Sequence, residues 1–148
     1  MISLVWWVNV VVLVMASAID VRTRRIPNWL SLPFLAAGMI VPGLGGGWVG
    51  FRQSLAGCGL ALLLFALPCF LRGMGMGDLK LALGVGAWIG PSQFWMAFLV
   101  TAIAGGILSV AYLGLRPRQP AQVVKAAALS IPYAPAIAIG SLFSFFAR

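Results

Sequence analysis

The run LALGVGAWIGPSQFWMAFLVTAIAGGILSVAYLGL, Leu81 to Leu115, decides the fold. Thirty-five residues pass without a charge. A helix crosses the hydrocarbon core of a bilayer with about 20 apolar residues. The run is too long for one crossing and suits two, with Gly90-Pro91-Ser92-Gln93 as the turn between them.

The rest of the chain follows the same pattern. Of its 148 residues, 62% are hydrophobic and only 8% are charged. A soluble domain carries about 25% charged residues, so this chain cannot cover a water-facing surface and takes the bilayer as its solvent. Met1–Ile19, Ile26–Phe51, Gln53–Leu71 and Ala126–Ala147 are also uncharged, and each fits one helix. The expectation is an all-α membrane protein, a polytopic bundle of about six transmembrane helices. They fall near residues 3–19, 29–47, 54–71, 78–90, 93–114 and 128–146, and 1–148 reads as one transmembrane domain. The fourth helix is short for a full span; it begins within the glycine run before it or crosses where the membrane is thin.

The net charge of +8 comes from ten Lys and Arg set between apolar runs. That placement points to membrane topology and anionic lipid, not to nucleic acid. The segments after the first, third and fifth helices hold Arg22, Arg24, Arg25, Arg72, Lys80, Arg116, Arg118 and Lys125, against Arg52 and Arg148 on the other side. The bias of eight to two puts those three segments in the cytoplasm and both termini in the periplasm. Ala16-Ser17-Ala18 resembles the end of a signal peptide, but no basic region precedes it and a basic cluster follows, so the first helix reads as an anchor. Cys58 and Cys69 lack metal-site spacing and read as core residues. Histidine is absent, which excludes Ser-His catalysis, HExxH zinc sites and histidine proton relays.

The acidic residues are two, Asp20 and Asp78. Asp78 follows three alternating glycines in GMGMGDLK, Gly73 to Lys80, and Asp20 begins DVRTRRIPN. The topology places both at the cytoplasmic boundary. Carboxylates at membrane depth are costly and usually functional. Two brought close share a proton, and such a pair does general acid/base work: one takes a proton from water, the other gives one to a carbonyl oxygen. Glycine leaves room for an unwound peptide beside them. Structural readings stand next to this one: Asp78 as an N-cap and Asp20 paired with Arg24. A carrier role for both aspartates in a small cation-coupled transporter is the alternative from another class, and a non-catalytic assembly subunit of a pilus or secretion machine is a third.

Over nearly its whole length the chain resembles the type IV prepilin peptidases, a family of GxGD intramembrane aspartyl proteases. The likeness rests on D-x-R-x-R-x-I-P-N from Asp20, on Gly75-Met76-Gly77-Asp78 with Lys80 two residues later, and on Ile131-Pro132-Tyr133-Ala134-Pro135-Ala136 near the end. It implies Asp20 and Asp78 as the catalytic pair and Gly75 and Gly77 as the glycines that shape the site. Ile26, Pro27 and Asn28 are motif positions. Pro27 is expected to start the second helix, which proline tolerates. Asn28 either hydrogen-bonds near the site or caps the helix. Lys80 either tunes the electrostatics around Asp78 or reaches for the interface.

The implied substrate is a prepilin or pseudopilin, cut after a short basic leader at the cytoplasmic face of a bacterial inner membrane, with Gly expected before the cut. The arginines after Asp20 would not attract a basic leader, so they are assigned to topology and lipid. Larger members have paired cysteines and also N-methylate the new terminus. This chain lacks the four-cysteine set and resembles the short peptidase-only members, such as those serving Flp (Tad) pili, with no methyl donor, metal or other cofactor implied.

Overall fold

The computed structural model describes residues 2–23, 26–70, 75–114 and 133–146. All its elements there are helices: α1 (Ile2–Thr23), α2 (Asn28–Phe70), α3 (Met76–Gly114) and α4 (Ala134–Phe146). A helix satisfies its own backbone hydrogen bonds, which a chain in hydrocarbon requires. Among the described residues three stretches are long and apolar enough to cross a membrane, Val5–Thr23, Asn28–Phe70 and Met76–Ala111, and Ala134–Ser144 is a shorter apolar helix. The protein is an all-α membrane bundle.

Both long helices are broken once. Gly90 has φ 74° and ψ 173°, and Gly47 has φ 58° and ψ −142°. Only glycine adopts these conformations without strain. The break at Gly90 falls in the expected turn but is tighter, because Pro91 opens the next segment, where its missing N–H costs nothing. Residues 48–53, expected as a loop, are helical. Gly47 alone reverses the chain there, and Gly50 packs directly on the Pro42 carbonyl. Two other boundaries move. The first helix continues past residue 19 to Thr23, whose hydroxyl donates to the Ile19 carbonyl at 2.9 Å. The fourth expected helix begins at Met76, inside the glycine run. Gly73, Arg24, Arg25, Arg72, Arg116, Arg118, Lys125, Ile131, Pro132 and Arg148 lie outside the described residues, as does the stretch 128–132 expected to open the last helix.

Contacts set the register of the bundle. Phe34 lies on Gly84, and Trp88 lies on Gly38. Residues 34 and 38 of α2 therefore meet 84 and 88 of α3, side by side and parallel. The Phe34 and Trp88 rings stack 6.0 Å apart, and Trp88 Nε1 donates to the Phe34 carbonyl at 2.9 Å. Beyond the Gly47 break the direction reverses: Gly57 meets Gly86 and Gly90, while Ala61 meets Gly86. Beyond Gly90 it reverses again, with Phe65 against Phe94 and Phe98. Gly140 of α4 packs on Ala97 and Thr101, and Gly105 faces Tyr133, so α4 runs antiparallel to that last segment of α3. Lipid tails are as apolar as leucine, so close approach at small residues, not exclusion from water, holds these helices together.

This register gives the bundle two ends. At one lie Asp20, Asn28, Gly77, Lys80 and the start of α4. At the other lie the start of α1 with Trp6 and Trp7, the Gly47 break with Trp48, and the Gly90 break with Trp95.

Candidate active site

Asp20 belongs to the buried stripe of α1: Asn9, Leu13, Ala16 and Asp20 are all buried, at helical spacing. That face of α1 leans chiefly on α4. Asp20 Oδ2 accepts a hydrogen bond from the backbone N–H of Ala134 at 3.3 Å. Ala134 is the first residue of α4, and the Tyr133 carbonyl before it accepts from Ile137 N at 3.0 Å. The carboxylate thus sits where helix N–H groups have no partners of their own and the helix dipole is positive.

Asp78 is held by its own turn. The Gly75 carbonyl accepts from Asp78 N at 3.1 Å and from Leu79 N at 3.3 Å, which makes Gly75 the cap of α3. Asp78 is the third helical residue, not the cap, and Gly75 faces its carboxylate. Asp78 Oδ1 is buried with no hydrogen-bond partner among the described residues.

The two aspartates, 58 positions apart in sequence, are both buried, at 5% and 7% exposure, at the same end of the bundle. Of the other expected site residues, Gly75 faces Asp78. A Cβ on Gly75 would lie 3.3 Å from Asp78 Oδ2. Gly77 faces elsewhere: a Cβ there would lie 3.0 Å from Ile26 Cβ and 3.3 Å from Ile26 N. Pro27 precedes the first helical residue of α2, and its carbonyl accepts from Leu30 N at 3.1 Å and Ser31 N at 3.3 Å. Pro27 is therefore the cap, one residue earlier than a helical start. Asn28 is the first helical residue, and its Oδ1 accepts a hydrogen bond from Lys80 Nζ at 2.8 Å. Asn28 is thus bonded to Lys80 and is not the cap of α2. Arg24, the alternative partner of Asp20, lies outside the described residues.

The backbone of Tyr133 and Ala134 is the part of the site that sequence reasoning passed over. An N–H group has no side-chain signature. The available signal was Pro135, since proline is favoured in the first turn of a helix.

An all-helical membrane protein with its two carboxylates buried together at one end defines a narrow class. The type IV leader peptidase family matches residues 7–110, a stretch that includes both aspartates and stops before α4. The chain belongs to that family. It is 31% identical over 140 residues to a "Prepilin leader peptidase/N-methyltransferase" of Burkholderia pseudomallei (strain K96243), covering 88% of this chain and 42% of that protein. It is 29% identical over 135 residues to one of Aeromonas hydrophila, covering 86% and 44%. It is 29% identical over 139 residues to one of Bacillus subtilis (strain 168), covering 90% and 51%. The chain thus spans about half the length of the curated relatives it matches. No solved structure matches.

Proposed function

We propose that the protein is an intramembrane aspartyl endopeptidase that removes the short leader of a prepilin or pseudopilin at the cytoplasmic face of a bacterial inner membrane, with 1–148 forming one peptidase domain. The observation that carries this reading is the convergence of Asp20 and Asp78. They are the chain's only acidic residues, and both are buried in apolar surroundings at one end of the bundle. Carboxylates buried at membrane depth are costly and usually functional. The mechanism needs no other ionisable group. One carboxylate draws a proton from water as that water attacks the scissile carbonyl. The other protonates the carbonyl oxygen. Collapse of the tetrahedral intermediate then passes the first carboxylate's proton to the leaving amine nitrogen and returns the hydroxyl proton to the second, releasing leader and mature chain with no acyl-enzyme.

The orientation follows from charge. The end that holds the aspartates also holds Arg22 and Lys80, and the basic segments 24–25, 72 and 116–125 adjoin it in sequence. Positive charge favours the cytoplasmic side and anionic lipid there. Exposed Trp7, Trp48 and Trp95 at the opposite end suit the other interface, with Trp29 at the end that holds the site. Both the start of α1 and the end of α4 then face the periplasm.

The test is to co-express the protein with a prepilin that carries a short basic leader ending in Gly. A shortened product with its new terminus at that junction is expected. An uncut substrate beside folded enzyme overturns the proposal. A reporter fused after Arg148 should read as periplasmic, and a cytoplasmic reading would reverse the orientation.

A further inference from the structure

We infer that Tyr133 is a positioning residue for Asp20, acting through the backbone N–H of Ala134. The inference rests on the peptidase reading for its catalytic consequence, and on geometry alone for the rest. Asp20 has one hydrogen bond to α4, and its donor is the residue after Tyr133. The carbonyl of Tyr133 is the cap of the same helix, through Ile137 N. The place of Tyr133 therefore fixes where the first N–H of α4 points.

The Tyr133 side chain is fixed by α3. Its ring lies over Gly105, where an added Cβ would stand 3.3 Å from the ring. Its hydroxyl lies 3.4 Å from Ser109 Oγ. Ser109 Oγ already donates to the Gly105 carbonyl at 2.7 Å. A hydroxyl pair at 3.4 Å is long for an O–H···O bond and adds little. The ring on Gly105 is the main attachment. On its open side Tyr133 lines a cavity of about 430 Å³ with Leu64, Pro68, Phe98 and Thr101. Among the described residues nothing there replaces the ring if it is lost, so residues 133–134 gain freedom when the side chain is truncated. Tyr133 thus links the third helix to the first: α3 holds the ring, the ring holds the start of α4, and that start holds Asp20.

The experiment compares wild type, Tyr133→Ala and Tyr133→Phe in detergent-solubilised, full-length protein, with two readouts. The first is hydrogen exchange of the first-turn amides of α4, which needs no substrate. Tyr133→Ala should speed exchange there about tenfold while the midpoint segments of α2 and α3 stay protected, and Tyr133→Phe should match wild type within about twofold. The second is cleavage of a Gly-junction prepilin. Tyr133→Ala should lower kcat about tenfold with KM within about twofold, because the loss falls on the reacting group and not on substrate contact. Tyr133→Phe should restore kcat. Unchanged exchange in Tyr133→Ala overturns the inference. So does a Tyr133→Phe variant as slow as Tyr133→Ala, which would make the hydroxyl a participant in its own right. If wild type cuts nothing, the peptidase reading falls alone, and the exchange experiment still decides the role of Tyr133.

Discussion

Asp78 and Asp20 are held in opposite ways. Asp78 is fixed within four residues: Gly75 caps α3, and the carboxylate lies against the same glycine. Asp20 is fixed by a backbone group 114 positions away, on a helix that must first dock. One site is local and self-contained, and the other exists only in the assembled bundle. Two short helices share the work. The α3 segment from Met76 to Gly90 and all of α4 are each about 20 Å long at 1.5 Å per residue, less than the roughly 30 Å of a hydrocarbon core. Each begins at a carboxylate. The lesson is that a motif describes the half of a site that folds on itself, and leaves unsaid the half that packing supplies.

The largest expected effect tests whether the two halves are one machine. Asp20→Asn and Asp78→Asn should each lower cleavage at least about 10³-fold, with the protein still folded in the membrane. The double variant should be no worse than either single one, since groups that act as a unit are not additive in their loss. Turnover near wild type in either single variant would break the pairing.

The next effect separates two glycines of one motif. Gly75 faces the Asp78 carboxylate, whereas Gly77 faces the buried Ile26. Gly75→Ala places a methyl 3.3 Å from Asp78 Oδ2 and should lower activity per folded molecule about tenfold with a small change in melting temperature. Gly77→Ala presses on Ile26 and should cost about 1–3 kcal/mol of stability, as overpacking does. Gly77→Val should cost more. Activity corrected for folded protein should then stay close to wild type for Gly77→Ala. The reverse pattern, a stable but inactive Gly77 variant, would put Gly77 against substrate and Gly75 in a packing role.

The sequence made the bundle legible for a plain reason. Charge is so scarce that each Lys or Arg marks a helix end, and Gly90-Pro91 marks a turn that no apolar run could hide. It misplaced the second turn because the stretch Gly43–Gly50 holds five glycines in eight residues, any of which permits a reversal. Which one has positive φ depends on how Gly50 meets Pro42. At the site, Asp20, Asp78 and the GxGD turn were readable because they are side chains and spacing. The face that Gly77 presents, and the N–H that meets Asp20, were not. Both depend on where a distant helix lands.

The smallest effect concerns the link between the local half and its neighbour. Lys80 Nζ donates to Asn28 Oδ1 at 2.8 Å, joining the start of α3 to the first residue of α2. The distance is good, but the pair is exposed. Screening by water and lipid headgroups limits such a contact to about 0.5–1 kcal/mol. Lys80→Met should therefore lower the melting temperature by about 1–4 °C and leave cleavage within about threefold. Asn28→Asp should act in the other direction. It adds a charge to the bond and an acid to the start of α2, where both are favourable, so the protein should melt higher at low salt and lose the gain at high salt. If Lys80→Met instead reduced turnover as far as Asp78→Asn does, with the fold intact, Lys80 would be part of the chemistry. The self-contained half of the site would then extend two residues further along α3 than Asp78.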